Sequence, residues 1–345
     1  MAGRDKGASF AIAVPVALAA TGCGGGINSH GGTNAAASAG GSGSTKCAVT
    51  VGIEGPFTGQ IAALGQEQLH FAQLAVAGDN AANGTRISLV QGDTQLAPAQ
   101  AVTASQQFIS NPKLVAVVGP GGSQEVESVG PLFGRAGMAF VSGSATNTTL
   151  TGGRNPTFFR VVSKDSVQGP EDARYIVAHL HPRAVKIVDD QETYSTGLVS
   201  AMSPVFKAAG VSVNHESVSQ KATDFSSLAS KVTPATTVVV LPWQAPANAQ
   251  QFGRDLSEQH KRAVIFGTDG IYLPGTFTIQ GSYVSSLGPD IRAIPADRPI
   301  AAEARARYGA FGTAGPPTYA ATHVVDEAIA SICRSGRTPT RGTRW

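Results

Sequence analysis

Residues 114–147 read LVAVVGPGGSQEVESVGPLFGRAGMAFVSGSATN. Leu114–Val118 is a short continuous apolar run, as expected of a strand buried on both faces. Gly119–Gly122 turns the chain, and Ser123 opens an amphipathic stretch that predicts a helix to Arg135. Ala139–Ser142 is a second apolar strand, followed by another loop of small polar residues. Strand, turn, helix and strand in this order form a βαβ unit, whose two strands run parallel.

The same alternation continues on both sides. Further strands are expected at Ala48–Ile53, Arg86–Gln91, Phe158–Val162, Val185–Val188, Val211–His215, Thr237–Leu241, Ala263–Phe266 and Ser282–Ser286. Further helices are expected at Glu67–Ala82, Ala97–Ser110, Glu171–Leu180, Thr196–Ala209, Phe225–Lys231, Pro246–His260, Ala301–Tyr308 and Thr318–Cys333. Apolar strands separated by helices of this length imply parallel sheets covered on both faces. The ten strands are plentiful for one open sheet, and 345 residues suit two cores. The expected class is α/β, with two doubly wound parallel-sheet lobes joined by a hinge. Lobe 1 is expected over 47–162 plus 290–345, and lobe 2 over 163–289.

Composition narrows the function. The chain is 42% hydrophobic and 14% charged, which excludes wholesale disorder. Its net charge of +3 comes from scattered basic residues, so no nucleic-acid footprint is expected. Three Cys are too few for a disulfide scaffold. The 41 Gly are unevenly placed, and residues 22–45 are almost entirely Gly, Ser, Ala, Asn and Thr.

Before that block, Arg4 and Lys6 precede the short apolar run Ala8–Ala20, which reads as a secretory signal over residues 1–22. Ala20-Thr21-Gly22-Cys23 resembles a bacterial lipobox, which makes Cys23 the expected lipidation site. Residues 23–46 then form a flexible tether with too little apolar bulk to pack. An exported, membrane-anchored protein is expected.

In doubly wound sheets, ligands bind beyond the carboxyl ends of the strands. Gly119–Ser123 offers backbone N–H groups at a helix N-terminus, with the Ser123 hydroxyl as a further donor, and suits a carboxylate. Ser144–Thr146 could offer a carbonyl, an N–H and a hydroxyl. Asp269, between Thr268 and Gly270, suits a ligand ammonium. Trp243 and Gln244 follow another strand and could supply an aromatic wall and a polar contact. The glycines at Gly119–Gly122, Gly143 and Gly267–Gly270 are expected to bring backbone close to the ligand.

Catalytic patterns are lacking: there is no Gly-x-Ser-x-Gly elbow and no His-Glu-x-x-His. His179 and His181 read as partners of a helix C-terminus. No metal-ligand spacing is present, and no cofactor is expected. Cys47 and Cys333 could form one disulfide in an exported protein; the alternative is two separate buried thiols.

Several stretches together carry a family resemblance. They include Gly55-Pro56-Phe57-Thr58-Gly59, Val118-Gly119-Pro120 leading to Ser123, and Val141–Asn147. Phe158-Phe159-Arg160, Asp165–Pro170, Tyr194, Gly197, Asp224-Phe225-Ser226, Gly267–Gly270, Pro317, Tyr319-Ala320 and Asp326 follow in order. From about Cys47 to Arg334 the chain resembles the type I periplasmic solute-binding proteins of the leucine/isoleucine/valine-binding group.

The resemblance implies two α/β lobes that close on a small ligand. It implies that Ser123 and Thr146 hold an α-carboxylate, while the Ser144 carbonyl and Asp269 hold an α-ammonium. Leu64 falls where a ligand-packing aromatic often stands, and Gln244 where the leucine-type site has a Tyr. A more polar side chain or an amide is therefore expected in the ligand. The family's first-lobe disulfide is missing. The basic tail after Cys333 has no hydrophobic period, where the family usually continues, and reads as a truncation or a changed reading frame. The implied role is the extracytoplasmic solute-binding component of an ABC importer: a monomer that binds an amino acid or related amide and delivers it to a membrane permease. The rivals are a sensor of the same fold and an exported α/β enzyme.

Overall fold

The computed structural model describes residues 47–342. The expected signal, the tether and Cys23 lie outside the described residues.

The chain runs β1 (Ala48–Gly55), α1 (Ala62–Asn83), β2 (Arg86–Asp93), α2 (Pro98–Ser110), β3 (Leu114–Val118), α3 (Ser123–Ala136), β4 (Ala139–Ser142) and β5 (Phe158–Arg160). These strands form one parallel sheet in the order β2-β1-β3-β4-β5. The next elements are α4 (Asp165–Tyr175), β6 (Ala184–Asp189), α5 (Thr193–Ala208), β7 (Ser212–Ser217), α6 (Ser226–Ser230), β8 (Thr236–Leu241), α7 (Pro246–Glu258), β9 (Val264–Gly267) and β10 (Tyr283–Val284). They build a second parallel sheet, ordered β10-β9-β8-β6-β7. Finally, α8 (Arg298–Tyr308) and α9 (Gly315–Arg334) return to the first lobe.

Every expected strand is present. The largest difference among the helices is α4, which begins at Asp165 rather than Glu171 and ends in a π-helical turn, Ile176–Leu180. A weakly apolar first turn hid its start, and Pro170, which reads as a break, sits inside it.

Each sheet is covered on both faces. In the first lobe, Val51, Ile53 and Val118 pack with Leu69 and Val76 of α1 and with Val325 and Ile329 of α9. On the other face, Leu114, Val117 and Phe140 pack with Phe108 of α2 and with Val129 and Phe133 of α3. The second lobe repeats the plan, with Val239 and Ile265 toward Phe252 of α7, and Ile187 and Val240 toward Leu198 and Phe206 of α5. Among the described residues no helix is long and apolar enough to cross a membrane.

The C-terminal return is fastened at two places. Cys47, just before β1, is disulfide-bonded to Cys333 near the end of α9, with Cα atoms 6.0 Å apart. Beyond α9, the tail is held by hydrogen bonds rather than by apolar packing. The Arg341 guanidinium donates to the carbonyls of Phe108, Ile109, Asn111 and Leu114, and the Gly342 N–H donates to the Gly137 carbonyl at 2.9 Å. One arginine therefore gathers carbonyls from the last turn of α2, the loop after it and the start of β3. A charge can do this without any hydrophobic period.

The disulfide closes a sequence separation of 286 residues. Long loops gain the most from closure, so the Cys47→Ser/Cys333→Ser variant is expected to lose about 2–5 kcal/mol. Denaturant unfolding with and without reductant checks this. Reductant must destabilise the parent protein and leave the variant unchanged.

Candidate ligand site

Ser123, Ser144, Thr146, Gln244 and Asp269 follow strand ends, whereas Leu64 lies in α1. In the first lobe, Gly119 has φ +102°, and a Cβ there would stand 2.1 Å from the Glu54 carbonyl oxygen. Only glycine fits, and the chain can then turn from β3 into α3 tightly against β1. Ser123 is fully buried, and its Oγ accepts the Asn147 N–H at 3.2 Å, which leaves its own proton free to donate elsewhere. The helix start is partly satisfied from within, since Glu125 accepts the Gly122 N–H at 2.6 Å. Burial pushes the Glu125 carboxyl up to about 7.

Ser144 Oγ donates to the Gly121 carbonyl at 2.7 Å and accepts from Gln68 Nε2 at 2.7 Å. Its side chain is thus committed, which fits a ligand role through the backbone only. Thr146 is fully buried.

The second lobe supplies a cluster of acids. Asp269 Oδ1 accepts from the Tyr194 hydroxyl at 2.8 Å and from Gln168 Nε2 at 2.6 Å. Ser285 Oγ accepts from the same Gln168 amide at 3.2 Å and donates to Asp172 Oδ2 at 3.0 Å. Asp165 is buried, with the Thr146 hydroxyl beside its carboxyl. Burial pushes Asp165 and Asp172 up to about 7, with the Asp269 charge adding in the same direction. Burial also raises Asp269, against hydrogen bonds from Gln168 and Tyr194. The nearby cation is Arg160, whose Nη1 is held by the carbonyls of Ala145 and Asn147, each at 2.9 Å.

Polar bridges join the lobes around these groups. The Asp165 N–H donates to the Thr146 carbonyl at 2.9 Å, Asn147 Nδ2 to the Thr193 carbonyl at 2.8 Å, and the Thr193 hydroxyl to Glu127 at 2.9 Å. Gln124 Nε2 donates to Gln244 Oε1 at 3.1 Å. Gly197 makes the fit possible, because a Cβ there would lie 2.3 Å from Asp165 Oδ2 and 2.4 Å from Asn147 Nδ2. Leu64 is half-buried and packs on Ile61, Leu96 and Ala245, an apolar contact that spans the lobes.

Two expectations are corrected. Trp243 is not a ligand wall: it is 2% exposed, packs with Phe225 and Phe252, and donates its indole N–H to the Val188 carbonyl at 2.8 Å. A large ring with one polar atom is most stable where that atom finds a buried carbonyl, and the second-lobe core provides one. The strand-end glycines serve protein–protein backbone approach. Gly119 meets Glu54, Gly143 meets Thr318, and Gly270 meets the Trp243 carbonyl, where a Cβ would be 2.4 Å away. A cavity of about 680 Å³ lies beside the lobe crossings at 161–163 and 286–291, with Phe71, Tyr272 and Phe311 in its wall. None of the expected ligand residues lines it.

Sequence reasoning gave no role to Tyr194, Asp165, Gln168 or Asp172. The last three fall at i, i+3 and i+7, one face of a helix. That stripe is visible only if α4 starts at Asp165.

Residues 48–343 match the periplasmic binding protein family. The chain belongs to that family. An amino acid binding protein of Pseudomonas aeruginosa is 28% identical over 307 residues, covering 86% of this chain and 82% of the relative. The Leu/Ile/Val-binding protein of Escherichia coli is 24% identical over 260 residues, 73% of this chain and 71% of its own. Among solved structures, the leucine-binding protein LivK of Thermotoga maritima superposes with a TM-score of 0.75 at 22% identity, covering 84% of each chain. The isoleucine complex of LivJ from Streptococcus pneumoniae gives 0.74 at 24%, over 82% of this chain and 84% of its own. The fold is thus the two-lobed one of type I periplasmic binding proteins. The protein is a non-catalytic, extracytoplasmic solute-binding component of an ABC importer, working with a membrane permease.

The raised Asp165 fixes a pH signature. Its folded-state value of about 7 lies above the ordinary 3.8, so the folded protein holds this proton more tightly than the unfolded chain. That contribution is complete below about pH 4 and is lost as pH rises through 7. Its full size is at most on the order of 4 kcal/mol. Asp165→Asn keeps the site neutral, so its stability relative to the parent is expected to be greater at pH 8 than at pH 5. Urea unfolding at both values tests this; identical pH profiles would contradict the assignment.

Proposed function

We propose that the protein binds an α-amino acid, or a closely related amide, between its lobes. The observation that carries this reading is the buried trio of Asp165, Asp172 and Asp269 on the second-lobe side. An ammonium supplies the positive charge that three desolvated carboxyls lack. Ser123, with its proton free, and Thr146, whose buried hydroxyl lies beside Asp165, are the donors for the ligand carboxylate. The Ser144 carbonyl and Asp269 receive the ammonium. Gln244 and Gln124 at the seam favour a ligand with a polar side chain over a leucine-like one. The names of the amino acid and Leu/Ile/Val-binding relatives support the same class. Ligand contacts from both lobes favour the closed form, which is the form a permease would recognise.

The same reading divides the chain into lobe 1 (47–162 plus 290–345) and lobe 2 (163–289). It makes the protein a monomer, with a signal at 1–22 and a lipid on Cys23 leading the 23–46 tether.

A thermal-shift screen against amino acids, amides and benzoate is the direct test. A ligand at 100 times its dissociation constant stabilises by about 2.7 kcal/mol. Amino acids are expected to shift the parent protein and to lose that effect in Asp269→Asn. A shift from benzoate alone would overturn the ammonium reading. Because a bound ammonium lowers the raised carboxyl values, binding near pH 6 is expected to release protons, and affinity to increase from pH 5 to 8. Calorimetry in buffers of different ionisation enthalpy measures that release.

For the anchor, the full-length chain expressed in a bacterial host is expected to fractionate with membranes, and Cys23→Ser to become soluble. A Cys23→Ser protein that stays with the membrane would count against lipidation.

A further inference from the structure

On the outer side of the first lobe, where α1 packs against α9, a second group of ionisable side chains meets. None of the proposed ligand residues belongs to it, although His323 reaches the wall of the 680 Å³ cavity. His323, Asp326 and Glu327 stand at i, i+3 and i+4 of α9, so they share one face of that helix. Asp79 faces them from α1. His323 Nδ1 lies 2.8 Å from Asp79 Oδ1, and one ligand atom each from Asp79, His323 and Glu327 lies within 4.8 Å of the others.

The group is more than a surface cluster of acids. Asp326 is 0% exposed, and its carboxyl has the Asp79 carboxyl as its neighbour. Asp79 Oδ2 is buried too. The two carboxyls lie within hydrogen-bond reach of each other and share a proton, and the imidazole is the other near donor. The arrangement lacks a positive charge at its centre. Other groups around it are accounted for. Asn83 Nδ2 donates to Glu327 Oε1 at 2.6 Å, and the Arg334 guanidinium lies 3.5 Å from Glu327 Oε2. The Tyr319 ring stacks beside His323. Arg334 is mostly exposed and can turn to solvent, and Glu327 can keep Asn83 on one oxygen and offer the other.

We propose that Asp79, His323 and Glu327, with Asp326 behind them, form a site for a divalent transition-metal ion of the zinc type. One imidazole with two or three carboxylates is a donor set that suits zinc and its neighbours, whereas magnesium and calcium favour oxygen alone. The imidazole would use the nitrogen that now bonds Asp79, so the metal replaces a proton shared within the group. Because the ligands come from α1 and α9, the ion would stitch the C-terminal return to the first lobe. The C-terminal end of α9 is also tied to the start of β1 by Cys47–Cys333. The sequence showed no such site, because Asp79 and His323 are 244 positions apart.

The test uses the full chain, freed of metal by chelation and titrated with zinc chloride at pH 7.5 by calorimetry. One ion per chain is expected, with affinity falling at pH 5.5 as protons compete. His323→Ala, at a half-exposed position, is expected to weaken zinc binding at least about tenfold while keeping the amino-acid thermal shift. Glu327→Gln should weaken it as well. His179→Ala/His181→Ala, a control for adventitious imidazole binding, should bind as the parent does. The proposal is overturned if the parent takes up no stoichiometric zinc, if His323→Ala binds it undiminished, or if the control variant loses it.

Discussion

Three carboxyl groups, Asp165, Asp172 and Asp269, are buried in the second lobe; neutral groups of Gln168, Tyr194 and Ser285 donate to Asp269 and Asp172, and the Arg160 guanidinium acts on Asp165. Taking carboxylates out of water costs several kcal/mol each unless charge or hydrogen bonds compensate. Burial therefore favours the protonated forms and raises Asp165 and Asp172 to about 7; the proposed ammonium would take the place of those protons. A cluster held in this way is poised: it is stable without ligand, yet a cation that displaces the protons gains the full attraction of a desolvated anion. The surrounding structure keeps water out of that cluster while leaving it able to open.

Two kinds of fastening divide this work. Within the first lobe the fastenings are permanent. The disulfide and Arg341 fix the start of β1, the end of α9 and the end of α2 together. Between the lobes they are individually weak. They are single neutral hydrogen bonds such as Gln124–Gln244, and a small apolar contact at Leu64. Each is worth about 0.5–1.5 kcal/mol net, so a ligand touching both lobes can outweigh them. The C-terminal segment belongs with the first group, and it does so through one charged side chain rather than an apolar face.

The sequence disclosed the fold because continuous apolar strands such as Leu114–Val118 admit few readings, and all ten strands followed from that pattern. It pointed to Ser123, Thr146 and Asp269 as candidates because ligand chemistry in such sheets gathers at strand ends, and the structure buries all three. It misread Trp243, since a residue just past a strand can point into the core or into the seam, and only packing decides. Here the indole finds the Val188 carbonyl, and its neighbour Gln244 takes the seam. It missed Asp165, Gln168 and Asp172 because Pro170 disguised a helix whose polar face is its informative one. It missed Asp79 with His323 because nothing local links residues on helices so far apart in the chain.

Helix α4 joins these threads. It is the first element after the chain leaves the first lobe, and its opening turn stays bonded there through Asp165 N–H to Thr146 and Ser166 N–H to the Thr148 hydroxyl. One turn later Gln168 grips Asp269, and another turn on Asp172 reaches Ser285 beside β10. Any rotation that opens the lobes must therefore pull on the helix that arranges the acids. Charge recognition and hinge position are then not separate properties. A ligand that neutralises Asp165 and Asp269 stabilises α4 against the first lobe, and a lobe that swings away returns those carboxylates to water. Gly197 marks how finely this is fitted, since the close approach of Asp165 and Asn147 leaves no room for a methyl group.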